Sequence, residues 1–311
     1  MLGRLRMSTQ EALQEYDNCA AAVFSCKNIK NPTAWFRASG LKKVVEELVA
    51  KRGMGDLMQE ENPPNKGKVL VCVMPTKSWG EARIIRSWEP SDPDSRWHKN
   101  TTIWQAARAT TAASIYFKPE VLGNGKEDQP FIDAAIGANN PVEYLLKEAV
   151  RHFGSGKPLG CVVSIGTGTR EVEIASPPKG LLKGWINPLP YVASVAKLLK
   201  TSATDPEHAH RSIAYRVEGY PGAYFRFNVT NAAAVVGLSQ YKKIPELKSL
   251  TVKYLSDPDI IAKIREAADK LRGEAFDHGL SLGYVSMSSL DLLNNAYFMI
   301  VSAKTKRSSP S

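Results

Sequence analysis

Phe131-Ile132-Asp133-Ala134-Ala135-Ile136-Gly137-Ala138-Asn139-Asn140-Pro141-Val142 is the stretch whose reading decides the fold. Phe131-Ile132 ends a short apolar run, and Asp133 follows at the mouth of that strand. Gly137 then breaks the chain direction. Asn139 or Asn140 is placed to N-cap a helix, and Pro141 suits a first helical turn, where its missing N–H costs nothing. A carboxylate between a strand and a helix stands where α/β folds keep their chemistry, at the carboxyl edge of a sheet. Alone, an aspartate ending a strand is more often a turn or cap residue than a catalyst.

The flanking pattern is consistent with an α/β chain. Ser8-x-x-Glu11 is a capping-box pattern that opens a helix through about Phe24, and Leu41, Val44, Val45, Leu48 and Val49 repeat at helical spacing. Val69 to Met74, ended by Pro75, reads as a buried strand with Ile84-Ile85 as a neighbour. Pro90, Pro93 and the aspartates between and after them mark a surface loop. Thr101 or Thr102 caps a helix carrying Ile103, Trp104, Ala106 and Ala107. Beyond Asp133, Pro141 to Phe153 predicts a helix with Val142, Leu145, Leu146, Ala149 and Val150 inward, stopped by Gly154-Ser155-Gly156. Cys161 to Ile165 reads as the clearest buried strand, and Tyr224 to Val229 alternates like a last one.

Three quoted segments stand in one order: Ala107-Arg108-Ala109-Thr110-Thr111-Ala112-Ala113 with Tyr116-Phe117, the Asp133 stretch, and Ser164-Ile165-Gly166-Thr167-Gly168. In that order they resemble the patatin-like phospholipases, and look closest to the fungal branch. The likeness is densest over residues 104 to 170 and continues more weakly to about 230. It implies a three-layer α/β/α patatin-like sheet and a serine–aspartate dyad acyl hydrolase acting on phospholipids or related acyl esters. It also implies peripheral contact with a membrane, no metal and no organic cofactor. Asp133 falls at the dyad aspartate, where it would take the serine proton without a histidine. His98, His152, His208 and His210 show no partner pattern and are assigned surface or structural roles. One position departs from the family: Ala134 stands where a glycine is usual, which would strain the turn if that position needed positive φ.

In the family the nucleophile lies on a Gly-x-Ser-x-Gly elbow upstream of the aspartate, after a glycine-rich oxyanion loop. Met1 to Ser8 is similar to family sequence just beyond the elbow helix, so the resemblance implies a domain lacking its amino-terminal part. Without the serine and the oxyanion donors, no acyl transfer is expected from this chain as written. The alternative function is a noncatalytic lipid- or protein-binding regulatory module. Gly279-Leu280-Ser281-Leu282-Gly283 fits Gly-x-Ser-x-Gly, but it lacks the apolar strand before and the helix after that an elbow needs. Gly166-Thr167-Gly168-Thr169 follows a strand, yet has neither the Lys-Ser/Thr ending of a P-loop nor dinucleotide spacing, and reads as a structural turn.

Composition bounds the remainder. With 311 residues, 43% hydrophobic and 23% charged, the chain is an ordinary globular one, and no run reaches the apolar length of a bilayer span. Cytoplasmic residence, with peripheral membrane contact, is the expectation. Cys19, Cys26, Cys72 and Cys161 show no C-x-x-C spacing and read as reduced, mostly buried thiols. The formal charge of +10 fits an anionic surface. Basic residues are spread along the chain with no nucleic-acid motif, so no nucleic-acid partner is expected. Residues 177 to 200 interleave leucines, Trp185 and Tyr191 with lysines. A core-packing helix is the commoner origin of that pattern and an interfacial lipid contact the other. Pro245 to Leu255 and Pro258 to Leu271 read as helices, the second capped by Ser256 or Asp257. The expected organisation is a partial patatin-like domain over 1–230, a helical extension over 231–285 and a tail over 286–311, basic and serine-rich from about Lys304.

Overall fold

The structure, a computed structural model, describes residues 1–24, 36, 38–60, 67–77, 81–113, 116–123, 128–168, 206–229, 240–273 and 279–286. Cys26, the 177–200 segment and the basic tail lie outside them. In chain order the elements begin with α1 (Thr9–Phe24), α2 (Ala38–Lys51), β1 (Leu70–Pro75), β2 (Arg83–Arg86), a 3₁₀ turn (Pro93–His98) and α3 (Ile103–Thr110). They continue with β3 (Glu120–Leu122), β4 (Gln129–Asp133), α4 (Ala135–Ala138), α5 (Val142–Phe153), β5 (Val162–Ile165), α6 (Pro206–Arg216) and β6 (Tyr224–Phe227). A 3₁₀ turn (Tyr241–Lys243) then precedes α7 (Ile244–Leu255), α8 (Pro258–Arg272) and α9 (Leu282–Ser286).

The chain forms two compact units whose segments alternate along the sequence. The first takes Met1–Asn139 and returns with Gly166–Pro206 and Asn228–Ser256. Its sheet has the order β2-β1-β4-β3 and is antiparallel at every pairing. Cross-strand register puts Val73 opposite Asp133 and Pro75 opposite Phe131, so Phe131 and Asp133 share the face of Val73. On that face Val73, Ile85 and Phe131 cluster with Ala106 and Ala109 of α3. Cys72, Met74, Ile84 and Ile132 alternate onto the other face and are buried as well. A sheet buried on both faces is the middle of three layers, which is the α/β/α arrangement.

Local chemistry accounts for the helices. Ser8 and Glu11 close the capping box of α1 reciprocally, the Ser8 N–H donating to Glu11 Oε2 at 2.8 Å and the Glu11 N–H to Ser8 Oγ at 3.2 Å. Leu41, Val45, Leu48 and Val49 are the buried stripe of α2. Gly40 allows α2 to close on α1, because a Cβ there would sit 3.1 Å from the Ala22 carbonyl oxygen. Arg4 donates to the carbonyls of Met58 at 3.1 Å and Leu57 at 2.7 Å, and pins the amino-terminal loop to residues 55–60.

The second unit comprises Asn140–Ile165, Glu207–Phe227 and the chain from Asp257. Here β5 and β6 pair in parallel, Val162 opposite Tyr224 and Ser164 opposite Arg226. Val142, Leu146, Val162, Ile213, Val217 and Val285 are part of its core. Two expectations fail in this unit. Leu145 is 44% exposed, because the inward arc of α5 centres on Val142 and Leu146. Ile165 is 78% exposed, since β5 belongs to a two-stranded sheet whose buried face takes Val162 and Ser164. The Pro90–Pro93 region likewise departs from a plain loop: its 3₁₀ turn stacks Trp97 on Phe131, ring centroids 4.9 Å apart.

Candidate active site

α3 is the platform for the site. Thr102 caps it in a reciprocal box with Gln105, whose N–H donates to Thr102 Oγ1 at 3.3 Å while the Thr102 N–H donates to Gln105 Oε1 at 2.9 Å. Alanines on its inner face let the backbone lie close to the strands: Ala106 and Ala109 are buried, as is Ala112 just beyond. Thr110 Oγ1 donates to the Cys72 carbonyl on β1 at 2.8 Å. The Asp133 N–H donates to the Ala112 carbonyl at 3.1 Å, which ties the end of β4 to the exit of α3.

Asp133 thus sits on a rigid corner, half-buried, with Oδ1 accepting the Ala135 N–H at 2.8 Å in an Asx turn. Burial pushes its carboxyl above the ordinary carboxylate range, and the Ala135 N–H partly opposes that shift. Among the described residues no side chain hydrogen-bonds this carboxylate. The sheet is antiparallel, so the site owes its position to the β4–α4 corner, and the edge rule for parallel sheets does not apply.

Ala134 has φ −76° and ψ 2°, an ordinary conformation for an L-residue, so the methyl in place of the usual glycine strains nothing. The positive φ of this corner falls at Gly137, at 101°. Pro141 occupies the cap position of α5 itself, and Asn140 Oδ1 accepts the Val142 N–H at 3.4 Å one residue earlier.

Sequence reasoning passed over two features. Arg108, on the buried face of the site helix, is 2% exposed; it donates to the Lys118 carbonyl, lies 3.9 Å from Glu120 and sits 5.2 Å over the Phe117 ring. Burial lowers its pKa and raises that of Glu120. The second is a polar network in the other unit: Arg226 donates to Ser164 Oγ at 3.1 Å and Glu207 at 2.7 Å, Ser164 Oγ to Asn140 Oδ1 at 3.4 Å, and His210 meets the Tyr224 hydroxyl at 3.1 Å. The alternation of Tyr224-Phe225-Arg226-Phe227 was its only signal, because it put Tyr224 and Arg226 on one face.

Contrary to the sequence reading, a helix does follow Ser281, the short α9 over Leu282–Ser286, but no strand of the described residues leads into it as an elbow needs. Ser281 bridges Pro158, and its Oγ accepts the Tyr284 N–H at 3.4 Å as the cap of the five-residue α9. The Gly168 N–H is taken by Asn228 Oδ1 at 2.7 Å, as a structural turn requires. Cys19, Cys72 and Cys161 are free thiols, Cys72 buried and the other two half-buried. Among the described residues no cluster of His, Cys, Asp or Glu is arranged to hold a metal ion, and no helix is long and apolar enough to cross a membrane.

A family model for patatin-like phospholipase matches residues 5–146. The chain is 26% identical over 268 residues to calcium-independent phospholipase A2-gamma of Oryctolagus cuniculus, an alignment covering 82% of this chain and 32% of that protein. It is 30% identical over 156 residues to the Homo sapiens protein of that name, covering 49% and 18%, and 32% identical over 162 residues to the Rattus norvegicus one, covering 50% and 18%. The chain therefore spans about a third or less of the length of these curated relatives.

Proposed function

Residues 5–146 belong to the patatin-like phospholipase family, and from that premise we propose that the chain carries the aspartate half of a lipid acyl hydrolase, with Asp133 as the base of a Ser–Asp dyad. The observation that carries this is the Asp133 corner. One carboxylate oxygen is fixed by the Ala135 N–H at 2.8 Å, and burial makes the group a better proton acceptor than a solvated aspartate.

In the proposed reaction Asp133 accepts the proton of a serine hydroxyl as its oxygen attacks the ester carbonyl. The intermediate collapses, the acyl–alcohol bond breaks, and the departing lipid alcohol takes that proton. Asp133 then deprotonates water as it attacks the acyl-serine, and the same proton passes to the departing serine oxygen, releasing the fatty acid and restoring the free serine and the carboxylate. These steps call for neither metal nor organic cofactor. The substrate class proposed is a phospholipid or related acyl ester, met by a cytoplasmic protein at a membrane surface.

The test supplies the chain with a family segment bearing a Gly-x-Ser-x-Gly elbow and its oxyanion loop, fused ahead of Met1, and follows fatty acid release from phosphatidylcholine. Hydrolysis by the fusion, lost in its Asp133→Asn form and absent from the 311-residue chain, supports the dyad. Hydrolysis indifferent to Asp133→Asn sinks it. Lipid binding without turnover in any form indicates the noncatalytic module.

A further inference from the structure

α7 leaves apolar side chains on its solvent side. Ile244, Leu247 and Leu250 are half-buried on its inner side, whereas Val252 and Leu255 are 63% and 43% exposed. Lys248, Val252 and Leu255 fall on one stripe at helical spacing. Lys248 forms an ion pair with Asp17 of α1, within the same compact unit. On α1, Leu13 one turn before Asp17 and Tyr16 next to it are 51% and 57% exposed. The ion pair therefore joins two sets of exposed apolar side chains from two helices.

The charge along the α7 segment is predominantly basic. Residues 241–255 carry Lys242, Lys243, Lys248 and Lys253 against the single acid Glu246. The three carboxylates of α1 are each engaged by a basic group: Glu11 by Arg52 at 2.8 Å, Glu15 by Lys51 at 3.4 Å and Asp17 by Lys248. Lys242 and Lys243, in the turn that leads into α7, and Lys253, next to Val252, are exposed. A helix with apolar side chains on its outer stripe and lysines at its margins matches the boundary between acyl chains and anionic headgroups, into which lysine stems extend with their ammonium groups in water. The +10 formal charge of the whole chain acts in the same sense at longer range.

We propose that the exposed faces of α1 and α7, joined at Asp17–Lys248, form an interfacial surface that docks the protein on an anionic bilayer. The proposal deepens the lipid-hydrolase reading, since it names the surface on which that substrate is met, and it rests on that reading for its purpose alone.

Co-sedimentation of the full chain with vesicles tests it, comparing phosphatidylcholine containing about 30% phosphatidylserine with phosphatidylcholine alone. Stronger binding to the anionic vesicles, weakened by salt, is expected. The pair Val252→Asp and Leu255→Asp, and separately the triple Lys242→Glu, Lys243→Glu and Lys253→Glu, should each lower the partition coefficient about tenfold or more. Asp133→Asn should bind as the parent does, so a failed dyad and a failed docking surface give different results. If a variant does not fold, hydrogen exchange of the unaltered chain decides: slowed exchange over 241–255 on anionic vesicles is expected. Absence of vesicle binding, salt-insensitive binding to neutral vesicles, variants that bind like the parent or unchanged exchange would each overturn the proposal. So would a parent that self-associates through this face and becomes monomeric in the aspartate pair.

Discussion

The Asp133 amide and the Ala112 carbonyl meet at 3.1 Å, so the last residue of β4 is fixed to the chain leaving α3. The carboxylate inherits its position from this backbone bond and from the Ala135 N–H. No side chain among the described residues is needed to aim it, and substitutions at Asp133 should therefore change charge without moving the corner.

Asp133→Asn keeps the acceptor for the Ala135 N–H and removes the charge. Because burial raises the folded-state pKa of Asp133, the folded chain holds this proton more tightly than the unfolded one. Ionisation therefore costs stability, and the cost sets in as pH rises through the unfolded value and is complete above the folded one. The Asn variant should melt at a higher temperature than the parent near neutral pH. At about pH 3, below both values, the difference should close. Thermal melts at the two pH values check this; an Asn variant less stable at neutral pH contradicts it.

At the corner's two small residues the expected effects run against a simple restoration of glycine. Ala134 has φ −76°, so Ala134→Gly should destabilise by roughly 0.5–1 kcal/mol through unfolded-state entropy. Gly137 has φ 101°, so Gly137→Ala should cost about 1–3 kcal/mol. Urea titrations of both variants measure the two values.

Arg108 is a buried cation with one carboxylate neighbour, Glu120, 3.9 Å away. Arg108→Ala removes that neighbour's counter-charge and leaves a void under α3, with an expected loss of about 3–5 kcal/mol. Arg108→Met, paired with Glu120→Gln, fills the space without stranding a charge and should recover most of it. A double-mutant comparison by chemical denaturation separates charge from packing.

The α1 cap gives a second pH signature, opposite in sign to that of Asp133. The Arg52 hydrogen bond, with the Ser8 backbone and hydroxyl, pushes Glu11 down to about 2. Its stabilisation is present above the ordinary value of 4.5 and is lost as pH falls through about 2. Glu11→Gln should lower the melting temperature at neutral pH and converge with the parent in strong acid. Ser8→Ala should cost about 1 kcal/mol at neutral pH.

Elements specified by short-range chemistry were legible in the sequence. Ser8-x-x-Glu11 marks a helix start that the structure keeps, Thr102 rather than Thr101 proves to be the cap of the next, and the Phe131-to-Val142 stretch carries the strand, the carboxylate and the turn. What escaped depends on pairing between distant segments. The antiparallel pairing of β1 with β4 joins Val73 to Asp133 across most of the first unit, and nothing local encodes it. Leu145 and Ile165 were placed inward on apolarity, although the curvature of α5 against its core and the partner of β5 decide which face is covered. Arg108 read as one residue of a motif, because its burial follows from Phe117 and Glu120 folding over it.

In the second unit, β5 finds its parallel partner only in residues Tyr224–Phe227, and residues 157–159 are held from beyond that by Leu280 and Leu282, through the Leu159 N–H to Leu280 carbonyl and Leu282 N–H to Lys157 carbonyl bonds, both 2.9 Å. During translation Val162–Ile165 therefore leave the ribosome before the strand that pairs with them among the described residues. The nascent chain carries β5 without this partner until about sixty further residues have emerged, an interval in which an apolar strand edge is open to mispairing.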